Sequence, residues 1–507
     1  MAKTTKSVLA PALALFVSGL AVDARADGFD TPAAGVAQMG RGGAWVARAD
    51  DPLAAFFNPA AMVRNPNGVH VGSHLMVRRQ CFERLGADGQ PLSPGGGLNA
   101  PTDPVCAEIA PFPNPQLGAT FRIGRRFAVG LAVVGPHKTG TAAWPDVVSY
   151  ANKFGIVAPH PAATRYLMLE DDATLAYPTL SAAFAVTSKL SIGAGFVWGI
   201  ANFGFSNMAP AVSSPSDEFS TDIKAKLSGF DGFVPGVVLS ALFSPSKRID
   251  IAGTFRYSDA IRSSIDLYAQ SNYYTQGRVN EDAIRDPANI TDVKNAGTFK
   301  LQIPMEARLG FRYHKPRYET PSAGQRWLAK HQGAARDAMS EDLFDLEADL
   351  TYSQNSAVQS IQVRMNEATR INGTPGYVPA NADVPRRWRD IIGMRVGGEF
   401  VLIPDLIALR AGGFFESKGV DDAYVSLDFQ QAMKFGVSAG ATVRIAMLDV
   451  SAGYSHTFFA AQDNHGKGAV HGLAGDATAN FRTPQVINGG RQTGDLDEVA
   501  LGVTAHF

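Results

Sequence analysis

The residues of this 507-residue chain best placed to do chemistry are charges at alternate positions along stretches that otherwise read as apolar. They are Asp250, Arg256, Lys300, Glu306, Arg308, Arg312, Asp345, Glu347, Asp349, Arg395, Glu399, Arg410 and Glu416. Both signs are mixed. Such a set can form ion pairs, and its arginines can hold an anionic group through paired N–H donors. It does not suit nucleophilic catalysis, which needs a serine, a histidine and an acid brought together. Ser455 and His456 are neighbours on one predicted strand and point to opposite faces. No enzyme is expected. No metal-ligand spacing surrounds the two cysteines, and neither a metal nor a cofactor is expected. Cys81 and Cys106 lie close in sequence and are expected to pair in an oxidising compartment.

The elements that carry these charges read as strands. In 249–257 the outward set is Ile249, Ile251, Gly253, Phe255 and Tyr257, against inward Asp250, Thr254 and Arg256. In 299–313 the outward set runs Phe299, Leu301, Ile303, Met305, Ala307, Leu309, Phe311, Tyr313, against Lys300, Glu306, Arg308 and Arg312. The last residues alternate in the same way, with Val499, Leu501, Val503 and Ala505 leading to a terminal Phe507. Period-two runs of up to about fifteen residues exceed the ~5–6 of soluble strands and reach the ~9–11 a membrane-spanning strand needs. Short turns alternate with long loops, the connection pattern of membrane barrels. The expected fold is all-β: a transmembrane antiparallel β-barrel of about fourteen strands.

The start of the chain agrees. Lys3 and Lys6 precede an apolar run over 8–22, and Ala24-Arg25-Ala26 forms a cleavage site. Residues 1–26 therefore read as an export signal, 27–67 as an N-terminal plug and 68–507 as barrel. The plug is rich in Gly and Ala and too short for a core of its own. It has nowhere to bury Val36, Met39, Trp45, Phe56, Phe57 and Met62 except the barrel lumen, where Asp50 or Asp51 would pair with wall charges. A net charge of −1 argues against nucleic acid as a partner. The outer membrane of a Gram-negative bacterium is the expected location, outer-membrane lipid the expected surroundings, and a monomer the expected state.

The stretches Asp27-Gly28-Phe29, Gly40-Arg41-Gly42-Gly43-Ala44, Ala49-Asp50-Asp51 and Asn58-Pro59-Ala60, with the closing 502–507, resemble the FadL/TodX-type outer-membrane transporters of long-chain fatty acids and other hydrophobic compounds. The resemblance implies a hatch in the lumen, with Asp50, Asp51, Asn58, Pro59 and Ala60 in its motif and Phe29 beside a substrate pocket. It also implies an inward kink in the third strand, placed at Gly130 and Gly135, through which substrate leaves sideways into the membrane. Transport would be passive. Arg256, Arg308 and Arg410 are the candidates to hold a carboxylate head. Trp144, Tyr150, Phe154, Tyr166, Leu167 and Met168 would form an exposed apolar trap in the outer loops. The competing readings are a diffusion porin for hydrophilic solutes and an outer-membrane lipid hydrolase.

Overall fold

A computed structural model describes residues 35–91, 104–135, 141–151, 157–210, 222–271, 291–317, 336–370, 377–475 and 480–507. The export segment 1–26, Phe29, Phe154 and the side chain of Tyr150 lie outside what it describes.

Fourteen antiparallel strands close on themselves. They are β1 Gly68–Arg84, β2 Phe112–Ile123, β3 Phe127–Val134, β4 Glu170–Ala185, β5 Leu190–Pro210, β6 Asp222–Ser246, β7 Ile249–Ser258 with Ile261–Ser271, and β8 Thr291–Leu301 with Glu306–Pro316. There follow β9 Asp342–Ser353 with Ser360–Met365, β10 Asn381–Pro385 with Ile391–Ile403, β11 Ile407–Glu416, β12 Lys434–Ile445, β13 Leu448–Phe459 and β14 Gly490–His506. The terminal strand makes the closure, pairing β1 without a break from Gly68↔His506 to Arg84↔Gly490. A closed ladder leaves no strand edge unpaired, which is what a β-structure needs in lipid. Among the described residues no helix is long and apolar enough to cross a membrane.

Side-chain alternation sets the two faces. On β14, Val499, Leu501 and Val503 face out, while Glu498 and Ala500 are buried. On β12, Phe435 and Val437 face out and Lys434, Ser438 and Thr442 face in. The lumen is filled by residues 35–67, built from the short helices α1 Val36–Met39 and α2 Ala54–Phe57 and a 3-10 turn, Pro59–Arg64. Backbone meets backbone at the wall. A Cβ on Gly397 or Gly412 would stand 2.0–2.1 Å from the Arg41 backbone, so only glycine admits the hatch there.

Four adjacent strands, β7 to β10, are each interrupted, and the interruptions lie side by side. The register places Ile261 opposite Leu301 and Arg256 opposite Glu306. It likewise places Ser353 opposite Ile391 and Ser360 opposite Pro385. Pro304 sits in the β8 break, a 3-10 turn Asn355–Ala357 in the β9 break, and the buried Trp388 in the β10 break. Proline cannot donate to the ladder, and the turn takes residues out of it.

These breaks correct the reading of 299–313 as one strand with one outward face. Leu309, Phe311 and Tyr313 do face out, but Phe299, Leu301 and Ile303 are buried inside, and Lys300 is exposed rather than inward. The chain is re-aimed between Leu301 and Glu306, so positions of one parity change sides. The same happens on β7, where Phe255 and Tyr257 face out but Ile261, Ile265 and Leu267 face in.

Candidate functional site

Below the belt of breaks, the hatch is clamped by charge. Asp345, Glu347 and Asp349 alternate along β9 and so share one inward face. Asp345 meets the guanidinium groups of Arg41 and Arg48, each at 2.5 Å. Glu347 accepts from the backbone N–H of Ala47 at 2.6 Å, and Asp349 from those of Trp45 and Val46 at 2.8 and 3.1 Å. Arg48 also reaches Glu399 at 2.6 Å and Asp50 at 2.9 Å. Every one of these groups except Asp50 is buried. Buried charges of this kind are tolerated because each is paired and hydrogen-bonded.

The hatch motif is internal clasp work. Asn58 Nδ2 donates to the Val46 carbonyl at 2.7 Å, and Asp51 accepts from Leu53 N–H and from Gln38 Nε2 at 2.9 and 3.2 Å. Pro59 opens the 3-10 turn, and Ala60 is bound to the wall through Ser240 and Ser191. Burial and the neighbouring Asp50 push the Asp51 carboxyl up from 3.8 to about 7, against the two hydrogen bonds it accepts.

The three arginines expected to hold a carboxylate are committed elsewhere. Arg308 grips Glu306 through two bonds of 2.8 Å. Arg410 is 2.6 Å from Glu399 and donates to Thr442. Arg256 lies 3.6 Å from Glu306 and over the rings of Phe56 and Tyr177. All three belong to the wall–hatch network.

Above the belt the lumen changes character. A cavity of about 250 Å³ is lined by Phe205, Met208, Leu227, Leu267, Phe299, Ile361, Val363, Met365 and Val384, with loop residues Val425, Val470 and Ile487. The lining strand residues come from the re-aimed upper parts of β7, β8 and β10, from upper β9 and from the long strands β5 and β6. Tyr166, Leu167 and Met168 also line it. They are not an exposed trap: Tyr166 and Met168 are buried, as is Trp144, because the loop folds over the barrel mouth. Tyr166 is held there by Asp222, which accepts its hydroxyl at 2.8 Å and pairs with Arg165 at 2.7 Å.

Charge enters the cavity lining at Arg386 and Asp428, which the alternation of charges along the strands did not reveal. Arg386, in the β10 break, is buried and ion-paired with Asp428. Its Nε has no hydrogen-bond partner among the described residues. The Arg386-Arg387-Trp388-Arg389 run was the available signal, but nothing in its periodicity marks which residue turns inward.

At the third strand, Gly130 pairs on both sides, with Thr120 and Ser181, and is no kink. A Cβ there would meet Met62 Sδ at 2.5 Å and Ala55 Cβ at 2.9 Å, so it is a seat for the hatch. The ladder with β4 ends at Val134↔Tyr177. Gly135 follows at φ 100°, and the described pairing resumes at Ala142↔Asp171. Just inside, Tyr177 stacks on the hatch residue Phe56 at 5.7 Å. Cys81 and Cys106 are register partners joined by a disulfide, which ties the upper end of β1 to the loop before β2.

No family model matches the chain, and no curated protein matches it in sequence. Solved structures do match in fold. A Pseudomonas aeruginosa FadL homologue superposes with a TM-score of 0.67 at 17% identity, over 95% of this chain and 100% of that one. The Pseudomonas putida toluene transporter TodX gives 0.59 at 11%, over 94% and 99%. The Ralstonia pickettii toluene transporter TbuX gives 0.56 at 12%, over 94% and 100%. The plugged fourteen-stranded barrel built above is thus the fold of the FadL/TodX-type outer-membrane transporters.

Proposed function

We propose that this protein carries hydrophobic molecules, long-chain fatty acids or compounds like them, passively across the outer membrane of a Gram-negative bacterium. The observation that carries this reading is the apolar cavity above a lumen closed by the hatch. An open porin for hydrophilic solutes would not build an apolar chamber, and a hydrolase would need a catalytic set. His456 instead sits 2.7 Å from Asp497 on a strand whose neighbouring Ser455 is buried on the other face. Cargo enters the cavity from the loops, with the hydrocarbon among Phe299, Leu267 and Met208 and a carboxylate head toward Arg386. It leaves sideways past Tyr177 and Gly135, where β3 parts from β4, once the hatch shifts. The fold likeness to transporters of toluene supports a hydrophobic cargo.

The test is uptake of a labelled long-chain fatty acid by cells with and without the protein, beside ion conductance in planar bilayers. Faster uptake with low conductance is expected. High steady conductance with no gain in uptake would sink the reading in favour of the porin. Deleting residues 27–29, including Phe29, tests whether the extreme N-terminus of the exported chain contributes to the cargo site.

A further inference from the structure

The loop joining β11 to β12, residues 417–433, does not project from the barrel. It folds into the lumen. Val420, Val425, Leu427, Gln431 and Ala432 are buried. One side of the loop faces the cavity through Val425, Ser426 and Asp428. Elsewhere it packs into the apolar core that also holds the hatch, where Val420 is a member and Phe429 meets Trp388 edge to face at 5.6 Å. The loop reaches from the β10 break, where Arg389 N–H donates to Gly419 O at 2.8 Å, to the inner wall of β1, where Gln80 donates to Leu427 O at 3.1 Å. Asn488 fastens it from above through the Ala423 and Val425 carbonyls at 2.9 and 3.1 Å. It therefore borders the cavity on one side and the core that holds the hatch on the other.

One tie differs from the others. Arg386 to Asp428 is a buried ion pair at the edge of an apolar cavity, and it uses only part of the guanidinium. Among the described residues the Nε has no hydrogen-bond partner, in a side chain more than nine-tenths buried. A guanidinium presents Nε and Nη as a fork that fits a carboxylate with two parallel bonds. An incoming carboxylate can thus satisfy Nε and compete with Asp428 for the rest. Once displaced, Asp428 is an unpaired buried carboxylate, which is strongly disfavoured and favours movement of its loop toward water.

We infer that residues 417–433 form a second, internal gate above the hatch, latched by Arg386–Asp428, and that the anionic head of an amphiphilic cargo opens it by taking Asp428's place on Arg386. The inference rests on the reading of the cavity as the cargo site. It assigns the gate to a loop that the hatch-centred account leaves idle. A neutral hydrophobe fills the same cavity but lacks the group that opens the latch.

The test uses the full exported chain in detergent micelles with the native disulfide oxidised. A single new thiol, Ala432→Cys, reports opening by its rate of reaction with a water-soluble maleimide. The probes are oleate and oleyl alcohol, whose binding is measured separately by calorimetry. Oleate should raise the labelling rate roughly tenfold, the response to a tenfold shift in the open population, and oleyl alcohol should leave it unchanged. In the same background Asp428→Asn should raise the ligand-free rate and abolish the response to oleate. Binding of oleate without faster labelling overturns the gate and leaves the cavity assignment standing. Failure of both probes to bind overturns the cavity reading and the latch with it. An Asp428→Asn protein that labels as slowly as its parent overturns the latch. If that variant does not fold, the oleate and oleyl alcohol arms on the Ala432→Cys protein still decide.

Discussion

The lumen has two halves, and the same strands build both. Below the belt of breaks, β9 offers Asp345, Glu347 and Asp349 to a hatch that fills the space. Above it, the same strand offers Ile361, Val363 and Met365 to a space that is hollow. The lower half holds a fixed partner through charge, where each bond is directional and the loss of one partner strands another ion. The upper half offers apolar contact, which is non-directional, scales with area and suits an exchangeable guest. A transporter needs both kinds of surface. One anchors the plug, and the other must release what it binds.

The largest effect should come from cutting the clamp. Arg41 is fully buried between Asp345 and Glu347, and Arg41→Ala leaves those carboxylates short of a partner. Breaking a buried pair in this way costs about 3–5 kcal/mol. The barrel should still close, because its ladder does not depend on Arg41, but the hatch should loosen. Ion conductance in planar bilayers should rise well above that of the unaltered protein. Unchanged conductance would mean that the remaining backbone bonds to Glu347 and Asp349 suffice.

The second effect depends on pH and acts in the hatch. Asp51 holds its proton up to about pH 7 when packed, against 3.8 for an ordinary aspartate. The packed hatch therefore binds a proton that the released hatch gives up above about pH 4. This contribution is fully present below pH 3.8, declines as pH rises to about 7 and is flat beyond. The linkage is at most about 4 kcal/mol over that window. Urea titrations of hatch release at pH 4.5, 6 and 7.5 should show falling midpoints, and Asp51→Asn should make the slope shallower. An unchanged slope in Asp51→Asn would assign it to another group.

The lower half was much more legible in the sequence than the upper. Strict alternation over 249–257 and 499–507 gave away the wall and its two faces, and in 249–257 the inward charges, because a regular strand repeats every two residues. The small-residue stretch 27–67 reads as a plug because its apolar residues have no other place to go. Legibility failed where the strands break. At 299–313 the alternation passes unbroken through Pro304, so Phe299 and Leu301 look like the lipid-facing Leu309 and Phe311. Only the three-dimensional break shows that they line a cavity. Arg256, Arg308 and Arg410 were rightly placed inside, but periodicity carries no record of which acid each would meet. Arg386 was missed because it lies in the break itself, where no period exists.

Phe299 and Phe311 turn that contrast into a measurement, since they share a strand and a parity. Phe299→Ala removes a ring from the cavity wall. Burying such a side chain is worth about 1.5–3 kcal/mol, so a neutral hydrophobic ligand should bind roughly ten- to a hundredfold more weakly. Phe311→Ala faces lipid and should leave that affinity unchanged. Equal losses in the two variants would mean that the cavity is not the binding site.

The smallest effect separates the two glycines of the third strand. Gly130 seats the hatch, and Gly130→Ala presses a methyl group against Ala55 and Met62. The Met62 thioether is flexible and can shift, whereas Ala55 is fixed on α2. With Ala55 Cβ at 2.9 Å unable to give way, the cost should fall within the ~1–3 kcal/mol of overpacking. Its signature is a modest rise in conductance, like that of Arg41→Ala but weaker. Gly135 touches the question differently. Its φ of 100° is a conformation that side chains resist, so Gly135→Ala should disturb the departure of β3 from the wall and slow uptake without loosening the hatch. If both variants slow uptake equally and leave conductance alone, Gly130 belongs to the lateral path after all. If both raise conductance, Gly135 belongs to the seat of the hatch.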